Sequence, residues 1–389
     1  MDKSSIDNNS MNNNNMTIPR SKDTINLLQK CLLPIQLNLN INFHKRINAI
    51  KELSNKRIGI IFEYYLLIYS SHTFKQIYCI KPYDDLQEFN NRLAKESDSD
   101  KIIQKEYGLK NFVELRNKDL IIWSYSKIFY YKLSKNINEL YTIHQIIDDL
   151  NQGYNYFCSW YNIHSVNELM NGSLVSCNST GLKYYKKEND NYIFIFQKMM
   201  LEVENMIEFE ENKLFLLQRE YDKGACFDYA SDTYSLSIYD IKNNEIIEIN
   251  QKETIKRNDS NYNEDKRINF IIKGKYLFVK YDNKFNIYNI KENMKLVQRS
   301  KNNMTKNMFY FHYEKNEYNI KLLSDYINEY FIVKDLNTDT IKIYSFKDEE
   351  ISFYTVFPFQ QKEIEGIIKL KNNNLIMYSE KQLKLLSKI

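Results

Sequence analysis

The chain has 389 residues, of which 43% are apolar, so it is long enough for two average domains or for one large β domain with a sizeable core. Its 54 Lys and Arg residues and its 50 Asp and Glu residues are interspersed, and the net charge of +4 excludes the strong basic stripe of a dedicated nucleic-acid binder. Tyr and Phe are abundant, at 32 and 22 residues, whereas Gly and Pro number only 8 and 4, a bias that favours β-strands.

The N-terminal region is polar and shows no secretion signal. Residues 1–22 are Asn-rich and lack an apolar segment, so we expect a disordered tail without a signal peptide, followed by a short helix or linker at 23–33. The longest apolar stretch, around 58–69, contains Glu63 and is shorter than the roughly 20 residues that a membrane span needs. We therefore expect a cytoplasmic protein, with the nucleus as an alternative, and no membrane association.

The cysteines fit a reducing compartment. They are odd in number and far apart, with no C-x-x-C pair, so neither a disulfide framework nor a zinc ribbon is indicated. They are Cys31, Cys79, Cys158, Cys177 and Cys226. Free and mostly buried thiols are the expected state.

One short pattern recurs seven times along the rest of the chain: an apolar residue, any residue, an apolar residue, usually Tyr, and a mostly polar residue. The copies are LLIYS (66–70), IFYYK (128–132), LKYYK (182–186), LSIYD (236–240), FNIYN (285–289), IKIYS (341–345) and LKLLS (383–387). The tyrosines are Tyr69, Tyr131, Tyr185, Tyr239, Tyr288 and Tyr344, and Leu386 stands in the seventh copy. Tyr69 and Leu386 are 317 residues apart over six intervals, which gives a mean period of about 53 residues.

Each copy lies inside a unit of four short apolar-alternating runs joined by polar turns, the pattern of an antiparallel meander. In the fifth unit the runs are RINFIIK, YLFVKYD, FNIYN and MKLVQRS. The seventh unit has only three runs, whereas an unassigned alternating run, PIQLNLNINF at 34–43, precedes the first unit. We expect this N-terminal strand to complete the last unit, because closure protects the sheet edge that an open array would expose.

The sequence therefore predicts an all-β fold: a seven-bladed β-propeller of four-stranded antiparallel blades, closed by the N-terminal strand. The propeller is predicted over 34–389, with blades at roughly 47–81, 111–146, 164–200, 203–252, 267–301, 319–359 and 365–389, the last completed by 34–43. Because the six tyrosines recur at one position, we expect them to be structural and to pack between blades.

The units resemble degenerate WD40 repeats. They show L-x-x-x-x-L at the second strand and I-x-I-[WY]-[DN] at the third, and in LSIYD the residues Tyr239 and Asp240 stand where that family has Trp-Asp. The third unit, NELMNGSLVSCNSTGLKYYK, is also similar to a WD40 repeat core, although the family's Gly-His pair and an intact Trp-Asp pair are absent. The resemblance, over about 34–389, implies a non-enzymatic scaffold of protein complexes and hence a protein partner.

The sequence offers no motif for catalysis or for cofactor binding. Neither G-x-G-x-x-G, G-x-x-x-x-G-K-[ST], H-E-x-x-H nor G-x-S-x-G occurs. The histidines fall in different units and are His44, His72, His144, His164 and His312. We expect no catalytic residue, no metal site and no cofactor.

Two other functions remain as alternatives. A propeller enzyme with a channel-mouth site would need carboxylates on several first strands, where the chain has Glu52, Glu114, Glu168 and Glu208 without an evident shared register. An RNA-binding or RNA-processing subunit would use basic residues between aromatic ones, as in YYKLSK and KYLFVKYD. Strand alternation produces the same pattern, so the sequence disfavours nucleic-acid binding.

The lengths of the connections predict which face binds. In a four-stranded blade, the connections between strands one and two and between strands three and four share one face, and the remaining connections lie on the other. The long segments, at 82–110, 148–163, 221–233, 252–266 and 301–318, all belong to the second set. Long connections on a rigid scaffold concentrate function. Candidate partner-binding residues are the loop aromatics Phe157, Trp160, Tyr161, Phe227 and Tyr229.

Overall fold

The structure is a computed structural model. It describes residues 35–83, 108–134, 140–148, 163–178, 180–200, 202–220, 233–242, 245–256, 269–273, 276–281, 284–289, 292, 295–299, 320–322, 330–335, 339–347, 350–357, 363–372 and 374–388. The predicted tail at 1–22 and linker at 23–33 lie outside these residues. None of the described residues belongs to a helix long and apolar enough to cross a membrane.

The described residues form 28 β-strands in chain order. The first, β1 (Ile35–Asn42), belongs to the last sheet. Sheet 1 contains β2 (Ala49–Leu53), β3 (Arg57–Ile61), β4 (Leu66–Ser70) and β5 (Gln76–Ile80). Sheet 2 contains β6 (Leu109–Glu114), β7 (Leu120–Ser124), β8 (Lys127–Leu133) and β9 (Tyr141–Asp148). Sheet 3 contains β10 (Ile163–Glu168), β11 (Leu174–Asn178), β12 (Gly181–Glu188) and β13 (Asn191–Met199).

The second half of the chain continues the series. Sheet 4 contains β14 (Glu202–Glu210), β15 (Lys213–Glu220), β16 (Thr233–Lys242) and β17 (Glu245–Lys256). Sheet 5 contains β18 (Asn269–Lys273), β19 (Tyr276–Tyr281), β20 (Lys284–Asn289) and β21 (Lys295–Arg299). Sheet 6 contains β22 (Ile320–Leu322), β23 (Tyr330–Asp335), β24 (Thr340–Lys347) and β25 (Glu350–Val356). Sheet 7 contains β26 (Gly366–Lys369), β27 (Leu375–Tyr378), β28 (Gln382–Lys388) and β1.

Every sheet is a four-stranded antiparallel meander, which confirms the predicted all-β architecture of four-stranded antiparallel sheets. In sheet 7 the order is β1-β28-β27-β26, so the N-terminal run left over in the sequence is the fourth strand of this sheet. Its register places Leu37 opposite Leu386 and Ile41 opposite Leu383. The last sheet is thus assembled from both ends of the described chain.

A register shift interrupts the pairing of third and fourth strands at the same place in each sheet. In sheets 1 to 6 the shift falls immediately before the repeated tyrosine, at Ile68/Tyr69, Tyr130/Tyr131, Tyr184/Tyr185, Ile238/Tyr239, Ile287/Tyr288 and Ile343/Tyr344. In sheet 7 it lies between Leu37 and Leu39, opposite Leu386 and Leu385. A β-bulge bends a strand and increases its local twist, so the sequence signature of the third strand marks a bulge.

The hydrophobic core lies between neighbouring sheets. Sheets 1 and 2 share a cluster that includes Leu66 and Phe112, and similar clusters join sheets 2 and 3, sheets 3 and 4, and sheets 6 and 7. Sheet 7 also packs on sheet 1, where Ile376 and Ile50 belong to one cluster. At Gly59 an added Cβ would lie 2.6 Å from the Phe112 ring, so the absence of a side chain lets sheets 1 and 2 approach closely.

Leu386 tests the packing of the last sheet. Its side chain is 1% exposed and lies in the cluster between sheets 6 and 7. We expect Leu386→Ala to lower the free energy of unfolding by about 2–5 kcal/mol, because it removes buried methyl groups and leaves a cavity. Urea-induced unfolding measures the change. Lys384→Ala, on the same strand but only half-buried, is the matched control, and an equal loss in both variants would contradict this packing.

Candidate functional site

A glutamate occupies the same position on the first strand of four consecutive sheets. Glu52, Glu114, Glu168 and Glu208 are each paired with the residue six positions later, which is Ile58, Leu120, Leu174 and Leu214 respectively. The expectation that these glutamates share no register is therefore wrong. The common offset appears only once the turn after each first strand is known. Sheet 7 has Lys369 at this position, opposite Leu375.

Each glutamate binds backbone of the sheet that precedes its own. The N–H of Ser54 donates to Oε2 of Glu114 at 2.6 Å, and the Ser54 hydroxyl donates to Oε1 at 2.7 Å. The N–H of Arg116 donates to Oε2 of Glu168 at 2.9 Å. In both cases the donor lies in the turn between the first and second strands, so the carboxylate joins this turn to the next sheet.

The same contact joins sheet 3 to sheet 4 and sheet 7 to sheet 1. The N–H of Met170 donates to Oε2 of Glu208 at 2.5 Å, and the N–H of Lys371 lies 3.0 Å from both carboxylate oxygens of Glu52. The turns at 54–56, 115–119, 169–173, 211–212 and 370–374 are thus neighbours on one side of the molecule, which we call the short-turn face.

These carboxylates act as hydrogen-bond acceptors for backbone. All four side chains are half-buried, and burial raises the pKa of Glu208, although the N–H groups of Asn212 and Met170 oppose that rise. A polar side chain also reaches in the other direction, because Nζ of Lys51 donates to the carbonyl of Phe112 at 2.6 Å. Such contacts satisfy the polar groups of the first strand, which has a neighbour on only one side.

The repeated tyrosines lie at the junctions between sheets. Tyr185, Tyr288 and Tyr344 are 2–3% exposed, and Tyr69 is half-buried. Tyr131 belongs to the cluster shared with sheet 1, and Tyr185 belongs to the cluster shared with sheet 2. In sheet 5 the ring of Tyr288 lies 6.0 Å from that of Phe215 in sheet 4.

The hydroxyl of Tyr239 reaches polar partners. It donates to Oε1 of Gln218 at 2.9 Å and lies 3.2 Å from Oε2 of Glu248. Burial, with the nearby Glu248 carboxylate, raises the pKa of Tyr239 to about 12. The phenol is therefore neutral at physiological pH and serves as a hydrogen-bond donor in the junction.

A second tyrosine was missed by the sequence reasoning. Tyr130 and Tyr184 each precede a repeated tyrosine, and their hydroxyls donate to Oδ2 of Asp119 at 2.7 Å and to Oγ of Ser173 at 2.8 Å. The acceptor stands directly before the second strand in both sheets. The Tyr-Tyr doublets in IFYYK and LKYYK were the available signal, since two adjacent tyrosines on a strand point to opposite faces.

The opposite side of the molecule carries the long connections. Between described strands, no connection at the short-turn edge exceeds seven residues, whereas those at the other edge include 81–108, 149–162, 221–232, 257–268 and 300–319. We call this second side the long-connection face. The candidate residues Phe157, Trp160, Tyr161, Phe227 and Tyr229 all belong to these connections and lie outside the described residues.

Half-buried aromatic side chains line the described part of the long-connection face. The ring of Phe62 lies 5.1 Å from that of Phe43 and stacks on Tyr65 at 4.9 Å. In the neighbouring sheet, Nζ of Lys110 lies 3.7 Å from the centroid of the Tyr125 ring. Turns usually contain Gly, Asn, Asp or Pro, so aromatic residues here are an unusual choice.

Backbone hydrogen bonds place these turns side by side. The N–H of Leu109 donates to the carbonyl of Glu63 at 2.6 Å, and the N–H of Ile163 donates to the carbonyl of Tyr125 at 2.9 Å. The turn of sheet 1 thus adjoins the start of sheet 2, and the turn of sheet 2 adjoins the start of sheet 3. We call the set Phe43, Tyr64, Tyr65, Lys110 and Tyr125 the aromatic rim.

The described residues contain no group of three or more His, Cys, Asp or Glu side chains that could hold a metal ion. Four of the five histidines are described: His44, His72, His144 and His164. His144 makes an edge contact with the ring of Tyr130 at 5.2 Å.

Comparison with known proteins identifies the fold. No protein-family model and no curated protein matches the chain. A chain in the crystal structure of the mitotic checkpoint complex is 9% identical, with a TM-score of 0.55, over 90% of this chain and 91% of that one. The WD40 β-propeller domain of Doa1 is 12% identical, with a TM-score of 0.50, over 92% and 97%. Streptogramin B lyase is 11% identical, with a TM-score of 0.51, over 92% and 99%.

The chain therefore has the fold of a WD40-like β-propeller. The four-stranded antiparallel sheets are the blades of that fold. Identities of 9–12% establish the fold alone, and the resemblance to degenerate WD40 repeats seen in the sequence is confirmed at that level.

Glu114 tests the link between successive sheets. We expect Glu114→Ala to lower the free energy of unfolding by about 1.5–3 kcal/mol, because two donors of Ser54 lose a charged acceptor. Glu114→Gln, which keeps one acceptor oxygen, is expected to lose less. The surface pair of Glu188 with Lys186 offers the control, since Glu188→Ala should cost under about 1 kcal/mol in the same denaturant titration. Equal losses for Glu114→Ala and Glu188→Ala would refute the link.

Proposed function

We propose that the chain is a closed seven-bladed propeller that works as a non-enzymatic protein-interaction scaffold. A partner protein or peptide binds on the long-connection face. The observation that carries the proposal is the asymmetry of the two faces: one is trimmed to short turns, and the other holds every connection of 12 or more residues. Binding residues concentrate on such connections when a rigid framework positions them.

Contacts between the first and last sheets support closure of the ring. Seven four-stranded sheets are present in the described residues, and β1 supplies the fourth strand of sheet 7. Sheet 7 meets sheet 1 through a shared apolar cluster and through the bond from the Lys371 N–H to Glu52. This bond repeats the one found between sheets 1 and 2, so the seventh junction is built like the others.

Removal of β1 tests closure. A chain that starts at residue 44 loses the partner strand of β28, and we expect a lower melting temperature and aggregation through the exposed edge. A synthetic peptide of residues 35–42, added in excess, should restore part of the lost stability by mass action. Differential scanning fluorimetry reports both effects. A truncated chain that melts at the original temperature would show that the strand does not close the ring.

The aromatic rim supports protein binding on the long-connection face. Aromatic residues supply large apolar area that is ordered at little entropic cost, and they dominate the energy of most protein interfaces. Here Tyr64, Tyr65 and Tyr125 are half-buried, so part of each ring is already fixed by the scaffold and part faces outward. Lys110 adds a cation beside Tyr125.

The glutamate positions favour a scaffold over an enzyme. Streptogramin B lyase carries the name of an enzyme on a similar fold, so the fold itself admits either function. A catalytic site at the channel mouth would use the carboxylates of the first strands. In this chain Glu52, Glu114 and Glu168 each accept backbone N–H bonds from a neighbouring turn, which assigns them to holding sheets together.

Substitution of the loop aromatics tests the binding face. We expect Trp160→Ala combined with Phe227→Ala to remove the proteins that co-purify with the unaltered chain, and Tyr125→Ala to weaken their recovery. Quantitative mass spectrometry of affinity-purified samples measures the recovery. Met170→Ala is the control, because Met170 is 45% exposed on the short-turn face. Undiminished recovery with the Trp160/Phe227 variant, or equal loss with the Met170 variant, would contradict the proposed face.

A further inference from the structure

The short-turn face separates its charges into two sectors. Lys56, Lys118 and Lys371 are exposed on the turns of sheets 1, 2 and 7, and we call these three residues the basic sector. Lys56 and Lys118 occupy equivalent turn positions with positive φ, at 60° and 74°. The links from Lys371 to Glu52 and from Ser54 to Glu114 make these three turns consecutive neighbours.

An acidic sector lies farther along the same face. Glu210 and Glu211 are exposed on the turn of sheet 4, and we call them the acidic sector. The carboxylate of Glu210 lies 2.9 Å from Nζ of Lys213, which leaves excess negative charge on this turn. Sheet 3 separates the sectors, because its turn is bonded to Glu208 of sheet 4 through Met170. The turn of sheet 3 itself, at 169–173, contains no charged residue.

The carboxylates within the basic sector do not cancel its charge at the surface. Glu52 and Glu114 are half-buried and direct their oxygens at the backbone of adjacent turns. The lysine side chains, in contrast, are exposed. The outer surface over sheets 7, 1 and 2 is therefore positive and that over sheet 4 is negative.

We propose that this face binds a second copy of the same chain. A two-fold axis that lies in the plane of the face, along the bisector of the two sectors, places the basic sector of each copy over the acidic sector of the other. Such an isologous contact uses each complementary pair twice. The short turns allow two such faces to approach closely.

The resulting dimer has two consequences. Exposed ion pairs are weak and are screened by salt, so the association is weak and sensitive to ionic strength. It also leaves the long-connection face of both copies open, so a dimer would present two partner-binding faces and gain avidity for a repeated partner.

Charge reversal tests the dimer directly. Sedimentation equilibrium of the full chain is expected to show self-association at low ionic strength that is lost in concentrated NaCl. The double variants Lys56→Glu/Lys118→Glu and Glu210→Lys/Glu211→Lys are each expected to stay monomeric. Mixed in equal amounts at low salt, they are expected to form a heterodimer, because both sector pairs are again complementary. Self-association of either double variant at the level of the unaltered chain would overturn the proposal.

A matched pair of variants separates a specific contact from net charge. Lys45→Glu/Lys381→Glu and Glu363→Lys/Glu365→Lys change charge by the same amounts at exposed residues near the opposite edge of the sheets. Their mixture is expected to remain monomeric, and a heterodimer as strong as the first would also overturn the proposal. Lys371→Glu provides a single reversal in the basic sector, outside the positive-φ positions, if Lys56→Glu/Lys118→Glu folds poorly, and it too should abolish self-association.

Discussion

Carboxylate-to-amide bonds join sheets that have no hydrogen-bonded ladder in common. Within each sheet the strands pair with one another, and between sheets the contacts are mainly apolar and therefore carry little directional information. Glu52, Glu114, Glu168 and Glu208 add direction, because each oxygen fits a particular N–H of the preceding turn. The turns of five sheets are thereby aligned on one face, and the long connections must emerge on the other.

The repeated tyrosine combines two tasks at one position. It follows the β-bulge between third and fourth strands, and its ring enters the junction with the preceding sheet. A bulge at the outer strand also disrupts the regular edge that another chain could pair with. One residue type at one position thus marks packing inside the molecule and protection of its rim, which accounts for its recurrence in six of the seven sheets.

The strands could be predicted because apolar alternation and the third-strand signature are local. The same reasoning found the spare run at 34–43, since a sheet that lacks one strand needs another. The shared register of the glutamates was missed because it depends on the loop between paired strands, and positions along a sequence do not reveal pairing. Tyr130 and Tyr184 were missed because their acceptors, Asp119 and Ser173, stand 11 residues earlier and meet them only across the strand pair. The candidate aromatics Trp160 and Phe227 lie outside the described residues, so their role stays a prediction.

The pairing of β1 with β28 ties folding to the completion of synthesis. The side chains of Asn42 and Gln382, which meet across this pair at 3.1 Å, are 340 residues apart. At roughly 5–20 residues per second, a ribosome needs on the order of 20–70 s to produce the second strand after the first. Throughout that interval β1 is an apolar strand with no partner. The chain therefore depends on late, non-local contact formation, and interrupted synthesis would release a product with an open edge at each end.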